Sequence, residues 1–463
     1  MRGHTAAFLI PHEPLAPQKG IIAPPLSILM KPPRQPFHIT PAGYAWIVGL
    51  SFLFFWFHRA QRFAGDGPLI ARITEDGKWL VKNELLSQFL IQLLYQGGSF
   101  ISLPPLTVLN FTACLGGALA LGILLRGSQT LYKMDWPWPL LFFLSSGFFI
   151  FACGHTEYYP LLLPALFAYG FGGLLYIQGK LQLRTVSLLF VLGCALHMAM
   201  LITLPSLLAL PWLAKKRGEL TRGFSPLLLL FLLFLLRDFP QLTGHKAASL
   251  SSGWHGLPLF PYEGMGLHYA FFDLDHALDW FYGLALRSWL FWPLIFWGIQ
   301  TESCLTRPDR LFLLLYTLPL TAWTLIWHPD LGMPNDWDLF AIEAAPCLLL
   351  ALSYLPRLAA KPAPKAIILT ALVGSALCQH GFIIQQADFP RRGTGTVVFH
   401  LPPHTAIDLT IDARYKNGSR TTFPAGIHTA KCIDRTNRIS HNLYFHLIQN
   451  TSTTLSLSPT PNP

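Results

Sequence analysis

The sequence predicts an all-α polytopic membrane protein with about eleven transmembrane helices, amphipathic helices in the first outer loop and a small β-rich outer module at the C-terminus. Three observations lead there. Of 463 residues, 52% are hydrophobic and only 12% charged, against roughly 25% charged in an average soluble domain. Apolar segments of roughly 15–23 residues recur along most of the chain, and about 20 helical residues cross a bilayer. The short polar connections between them alternate between basic and charge-poor, as membrane topology requires.

The elements follow in order. Residues 1–42 are proline-rich and carry Arg2, Lys19, Lys31 and Arg34 without a small-residue cleavage pattern, so they read as a cytosolic tail. Spans are expected near 43–57, 104–125, 137–153, 159–177, 185–196, 199–214, 224–236, 287–300, 311–327, 339–355 and 365–383. Splitting 185–214 around "LHMAMLITLP" keeps every later basic loop on one side. The loops assigned inside then hold Arg126 and Lys133, Lys180 and Arg184, Lys215, Lys216 and Arg222, Arg307 and Arg310, and Arg357, Lys361 and Lys365. "GHTEYYP" and "HPDLGMPNDWDLFA", on the opposite side, have no Lys or Arg. The net charge of +10 is therefore a product of topology, with anionic headgroups as its partner and no need for nucleic acid. After the last span, "GTVVFHLPPHTAIDLTIDARY" and "HNLYFHLIQN" alternate apolar and polar residues, which predicts strands within 384–463.

The same parity sorts the ionisable residues. Outside fall Asp66 in "GDG", His155 and Glu157 in "GHTEYYP", His197 at the turn of the split pair, and Asp330, Asp336 and Asp338. Acids and histidines at a membrane boundary mark a functional site by default. Inside fall Asp135, Glu219, Glu302 and Asp309, each near Lys or Arg, which read as solvated loop charges. Seven scattered cysteines give no disulfide framework or zinc spacing, and no Walker-type phosphate loop is present.

The first outer loop, "FAGDGPLIARITEDGKWLVKNELLSQFLIQLLY", resembles the first luminal or periplasmic loop of the polyprenyl-phosphate-sugar-dependent glycosyltransferases of the GT-C superfamily. It carries "GDG" where the family has adjacent acids, and "NELLSQFLIQLLYQ" has the form of the family's interfacial helix. A long loop at 238–286, with "YAFFDLDHALDWFYGLALRSW" as a second surface helix, extends the resemblance over residues 43–383. The resemblance implies sugar transfer from a polyprenyl-phosphate donor to a glycan, lipid or protein acceptor at the extracytoplasmic face of a membrane such as a bacterial inner membrane. Asp66 matches the catalytic carboxylate and would deprotonate the acceptor hydroxyl for a single inverting displacement. His155 and Glu157 would orient hydroxyls, and Arg72, His197, Lys246 and Arg287 are candidates for the donor phosphate. Asp336, Trp337 and Asp338 would complete the substrate site, with Asp336 and Asp338 as the pair suited to Mg²⁺ or Mn²⁺ in those family members that use a metal. Two other classes use the same residues: a transporter or lipid flippase, for which His197 and Glu343 are intramembrane ionisable groups, and an acyltransferase with a histidine base.

Overall fold

A computed structural model describes residues 39–60, 67–77, 84–98, 100, 102–230, 232–233, 271–272, 274–327 and 337–387, and the backbone of seven strand segments between 394 and 456. Among them, five helices are long and apolar enough to cross a membrane: Pro105–Tyr132, Tyr159–Ile177, Pro308–Ile326, Leu339–Leu358 and Pro362–Gly381. Shorter apolar helices occupy Pro41–Phe57, Leu183–Leu196 and Met198–Leu213. The chain is an integral membrane protein. Other expected spans are shorter as continuous helices: residues 137–153 form two pieces, and the helix begun at Phe291 ends at Thr301.

The first elements are α1 (Pro41–Phe57), α2 (Gly67–Glu75), α3 (Leu85–Gly98) and α4 (Pro105–Tyr132). Thr40 caps α1 by accepting from the Gly43 amide at 3.1 Å, with Pro41 at the first helical position, where its missing N–H costs nothing. At 28 residues α4 is about 42 Å long, enough to cross the hydrocarbon core with a turn to spare at each end. Helix α3 turns a mixed face inward, with Ile91 packed on Ile70 and Val108. Its Ser87, Gln88 and Gln92 are buried, while Phe89 and Leu93 are about half exposed.

Next come α5 (Pro137–Leu144), α6 (Phe148–Ala152), α7 (Tyr159–Ile177), α8 (Leu183–Leu196), α9 (Leu204–Leu213) and the short α10 (Leu220–Gly223). The break between α5 and α6 falls on "SSG", and the backbone groups it frees are used. Ser145 carbonyl accepts from Ser375 Oγ at 2.8 Å, and the Gly147 amide donates to the Arg287 carbonyl at 3.3 Å. Between α8 and α9 the chain turns extended at His197 and continues as a 3₁₀ helix, Met198–Thr203. The last helices are α11 (Leu274–Ser288), α12 (Phe291–Thr301), α13 (Pro308–Ile326), α14 (Trp337–Ala341), α15 (Ala344–Leu358) and α16 (Pro362–Ala387).

Packing separates inner helices from peripheral ones. Of Leu339–Leu358, 89% is buried, against 22% of Pro362–Gly381, so α15 is central and α16 faces the surroundings. Small residues bring α4 close to its neighbours: a Cβ on Gly116 would lie 2.3 Å from the Pro160 carbonyl oxygen, and one on Gly117 would lie 2.2 Å from Ala152 Cβ. Lipid tails give no hydrophobic advantage to helix association, so such van der Waals contact is what holds these helices together. Aromatic pairs add to it, Phe142 on Phe291 at 5.6 Å and Phe148 on Phe167 at 5.7 Å.

The strands form two sheets. In one, β1 (Thr394–His400) pairs antiparallel with β4 (Arg420–Pro424) and parallel with β7 (Ser452–Ser456). In the other, β2 (Ile407–Ile411) lies between β3 (Arg414–Tyr415) and β5 (Gly426–Asp434), and β5 pairs antiparallel with β6 (Ile439–Leu447).

Candidate functional site

The helical body has two chemically different ends. At one, Arg126 lies 5.1 Å over the Tyr44 ring and Lys216 lies 5.3 Å from the Tyr176 ring. There Glu302, just past α12, accepts from Arg310 of α13, from Arg307 at 3.4 Å and from Arg357 of α15 at 2.5 Å. This differs from the expectation of a solvated loop charge: one carboxylate ties three helix ends. Desolvation raises the Glu302 pKa, but the Arg310 hydrogen bond and the charges of Arg310, Arg357 and Arg307 outweigh it and hold the carboxyl below its ordinary value.

The other end gathers sequence-predicted site residues. "GHTEYYP" forms the loop between α6 and α7, and His155, Thr156, Glu157 and Tyr158 are all buried in it. Gly154 has φ +82°, which only glycine adopts without strain, and its Cα faces Arg59 and Asn110. The Ala60 amide donates to the Cys153 carbonyl at 2.9 Å, and Asn110 Nδ2 donates to the Ala60 carbonyl at 2.9 Å. The chain leaving α1 is thereby fastened to this loop. It is fastened again at Gly67, where an added Cβ would stand 2.3 Å from Thr156 Oγ1. Both flanks of the stretch that contains Asp66 are thus held at "GHTEYYP".

A row of rings leads on from there. Phe151 stacks with His155 at 5.1 Å and with Tyr159 at 6.3 Å, and Tyr159 meets His197 at 5.0 Å. His197 Nδ1 accepts from the Ala199 amide at 3.0 Å, so the ring proton sits on Nε2, which contacts Glu84 Oε1 at 3.0 Å. Ser87 Oγ donates to the Leu196 carbonyl at 2.9 Å, which docks α3 at the same break. His197 therefore caps the 3₁₀ segment and binds Glu84, an acid the sequence reading passed over. Its signal was its place at the head of the amphipathic helix.

The charged centre lies between α11 and α15. Arg287 is 1% exposed and Glu343 0%, with Nε and Oε2 4.0 Å apart. Glu343 also accepts from Trp292 Nε1 at 3.2 Å, Thr321 Oγ1 at 3.2 Å, Ser288 Oγ at 3.3 Å and Cys347 Sγ at 3.0 Å. Its carboxylate is saturated. The guanidinium is not: Nε and Nη2 of Arg287 have no hydrogen-bond partner among the described residues, and its carbon lies 5.5 Å from the Phe340 ring. A buried arginine with open donors can accept a bidentate anion such as phosphate. The Gly147–Arg287 backbone bond sets it at the start of the five-residue α6, and "GHTEYYP" begins just past the other end of that helix, seven residues after Gly147. Glu343 entered the sequence reading only as an intramembrane acid; its partner, some 56 positions earlier in the chain, was not legible.

Other predicted residues stand apart. Arg72 is exposed on α2. Asp66, Lys246, Asp330 and Asp336 lie outside the described residues, and Trp337 and Asp338 are described only as backbone of α14. Among the described residues no group of three His, Cys, Asp or Glu side chains is arranged to hold a metal ion.

No protein-family model matches the chain. No curated protein matches it either. Among solved structures it is similar to ArnT from Cupriavidus metallidurans, bound to undecaprenyl phosphate and in the apo state, each with TM-score 0.47 and 12% identity over 73% of this chain and 64% of that one. It is also similar to the Archaeoglobus fulgidus oligosaccharyltransferase tethered with an acceptor peptide, with TM-score 0.38 and 12% identity over 76% of this chain and 56% of that one. The chain thus spans less than two thirds of the length of each of these structures.

Proposed function

We propose that this protein is a GT-C-type membrane glycosyltransferase that moves a sugar from a polyprenyl-phosphate donor to an acceptor hydroxyl at the extracytoplasmic face. The observation that carries the reading is Arg287, a buried guanidinium with open donors, backed by a saturated Glu343 and set one short helix from the loop of His155 and Glu157. The basic end with Arg307, Arg310 and Arg357 faces the cytoplasm on this reading, and about eleven crossings, some by short or broken helices, carry the chain through the bilayer. Residues 1–42 are the cytosolic tail, 43–383 the transferase body and 384–463 an outer β-rich module.

The chemistry assigned is a single displacement. Asp66 takes the acceptor hydroxyl proton, the freed oxygen attacks the anomeric carbon, and the bond to the phosphate oxygen breaks with inversion. The electron pair goes to that phosphate, whose charge Arg287 stabilises with no reorganisation. Glu157 and His155 hold sugar or acceptor hydroxyls. Where the transfer uses a metal, Asp336 and Asp338 would hold Mg²⁺ or Mn²⁺, which would supply further positive charge to the leaving phosphate.

The test uses membranes containing the protein, supplied with a polyprenyl-phosphate-sugar extract and assayed by mass spectrometry for discharged polyprenyl phosphate. Wild-type membranes discharge the donor and Arg287→Ala membranes do so at least about 100-fold more slowly, the scale of losing a charged transition-state contact. Equal discharge by both would remove Arg287 from the reaction. Acyl incorporation without sugar transfer would move the protein to the acyltransferase class.

A further inference from the structure

The half of α4 nearest the "GHTEYYP" loop carries one carboxamide, Asn110, which is 3% exposed. Its Nδ2 donates to the Ala60 carbonyl at 2.9 Å, and a carbonyl only accepts, so the nitrogen end of the amide is fixed. Oδ1 is left without a hydrogen-bond partner among the described residues, 3.0 Å from where a Cβ on Gly154 would lie. An unpaired buried acceptor costs stability. The amide therefore gives up with one atom much of what it gains with the other, and stability alone does not account for it. Such a half-satisfied group is a mark of function.

What its one bond holds is a crossing of two segments. Ala60 is gripped through both backbone groups: its N–H donates to the Cys153 carbonyl at 2.9 Å, and its carbonyl accepts from Asn110. From Cys153 the chain enters "GHTEYYP", reaching His155 two residues on and Glu157 four residues on. From Ala60 it runs towards Asp66, which is bonded to Gly67, and Gly67 abuts Thr156 of the same loop. Asn110 thus anchors, from a membrane-spanning helix, the end of α1 from which the Asp66 segment departs.

We propose that Asn110 is a positioning residue for sugar transfer: its bond to Ala60 holds the segment that carries Asp66 in register with the loop of His155 and Glu157. This rests on the glycosyltransferase reading and gives Asn110 no contact with substrate.

The test is Asn110→Leu, nearly the same in shape, made in the full chain in membranes with and without Asp66→Asn. The substitution exchanges one unpaired buried group for another, the Ala60 carbonyl, so Tm moves by no more than about 4 °C. Donor discharge slows at least about tenfold through kcat, the scale of a small misplacement of a reacting group, while KM for the donor stays within about twofold. In the Asp66→Asn background Asn110→Leu slows discharge no further, because it acts through Asp66. Equal slowing in both backgrounds, or unchanged kcat in the wild-type background, would overturn the proposal. Asn110→Ala gives the same split and decides if the leucine variant does not fold. Wild-type membranes that discharge no donor would defeat the transferase reading instead. Placement is then read from thiol labelling of Asp66→Cys in a Cys378→Ser/Cys432→Ser background. Asn110→Leu raises that labelling rate at least about threefold, the scale of one hydrogen bond in a local opening. Equal labelling rates would overturn the positioning role.

Discussion

Arg287 and Glu343 form a buried ion pair in which the acid is fully bonded and the base is not. Glu343 has four hydrogen-bond donors besides Arg287, whose Nε stands 4.0 Å from it. Removing one partner of a buried pair costs about 3–5 kcal/mol, because the other charge is left behind. Glu343→Ala is therefore expected to lower thermal stability more than Glu343→Gln, which keeps an acceptor for Trp292 or Thr321. Buried Cys347 gives the readout, since its labelling by a thiol dye follows unfolding.

The loop at "GHTEYYP" depends on two glycines. Gly154→Ala places a Cβ 2.9 Å from Arg59 Cβ at φ +82°, and the left-handed conformation alone costs about 1–2 kcal/mol. Gly67→Ala drives a methyl into Thr156 and moves the residue after Asp66. We expect Gly154→Ala to lower the unfolding temperature, and Gly67→Ala to lower donor discharge more than it lowers stability. Thiol-labelling melts and the discharge assay separate the two.

His197 works through both ring nitrogens. Asparagine can still accept from the Ala199 amide, so His197→Asn keeps the cap and loses the Glu84 contact, while His197→Ala loses both. The cap is worth about 0.5–2 kcal/mol. The alanine variant should be the less stable by that amount; equal melting temperatures would show that the Nδ1 cap contributes nothing.

The Glu302 cluster predicts an acid limb in stability. The folded-state pKa is held below the unfolded value, so the contribution is complete above the ordinary glutamate range. It is lost as the pH falls through the depressed folded value. Melting temperature measured against pH should decline on the acid side in the wild type, and Glu302→Gln should flatten that limb while lowering stability at neutral pH.

How much of this was legible in the sequence depends on the range of the interaction. Apolar length marked α4, α7, α13 and α16, since one helix supplies its own backbone partners in lipid. "SSG" is a local signal, yet the break there was not read, because its partners Ser375 and Arg287 are far along the chain. Parity put "GHTEYYP" and His197 on one side, and the ring row through Phe151 and Tyr159 places them at one end of the body. Pairings between distant segments were not readable: Glu84 with His197, Glu343 with Arg287, and Glu302 with Arg357. A lone acid in an apolar run announces a partner without saying which.

The central claim is that an outer-face carboxylate in the first loop is the base for sugar transfer. The direct measurement is donor discharge by Asp66→Asn membranes beside wild-type membranes carrying the same amount of inserted protein. Loss of discharge by at least about 100-fold, with unchanged melting behaviour, is the expected result, the lower end of the range for a general base. Discharge at the wild-type rate would contradict the account.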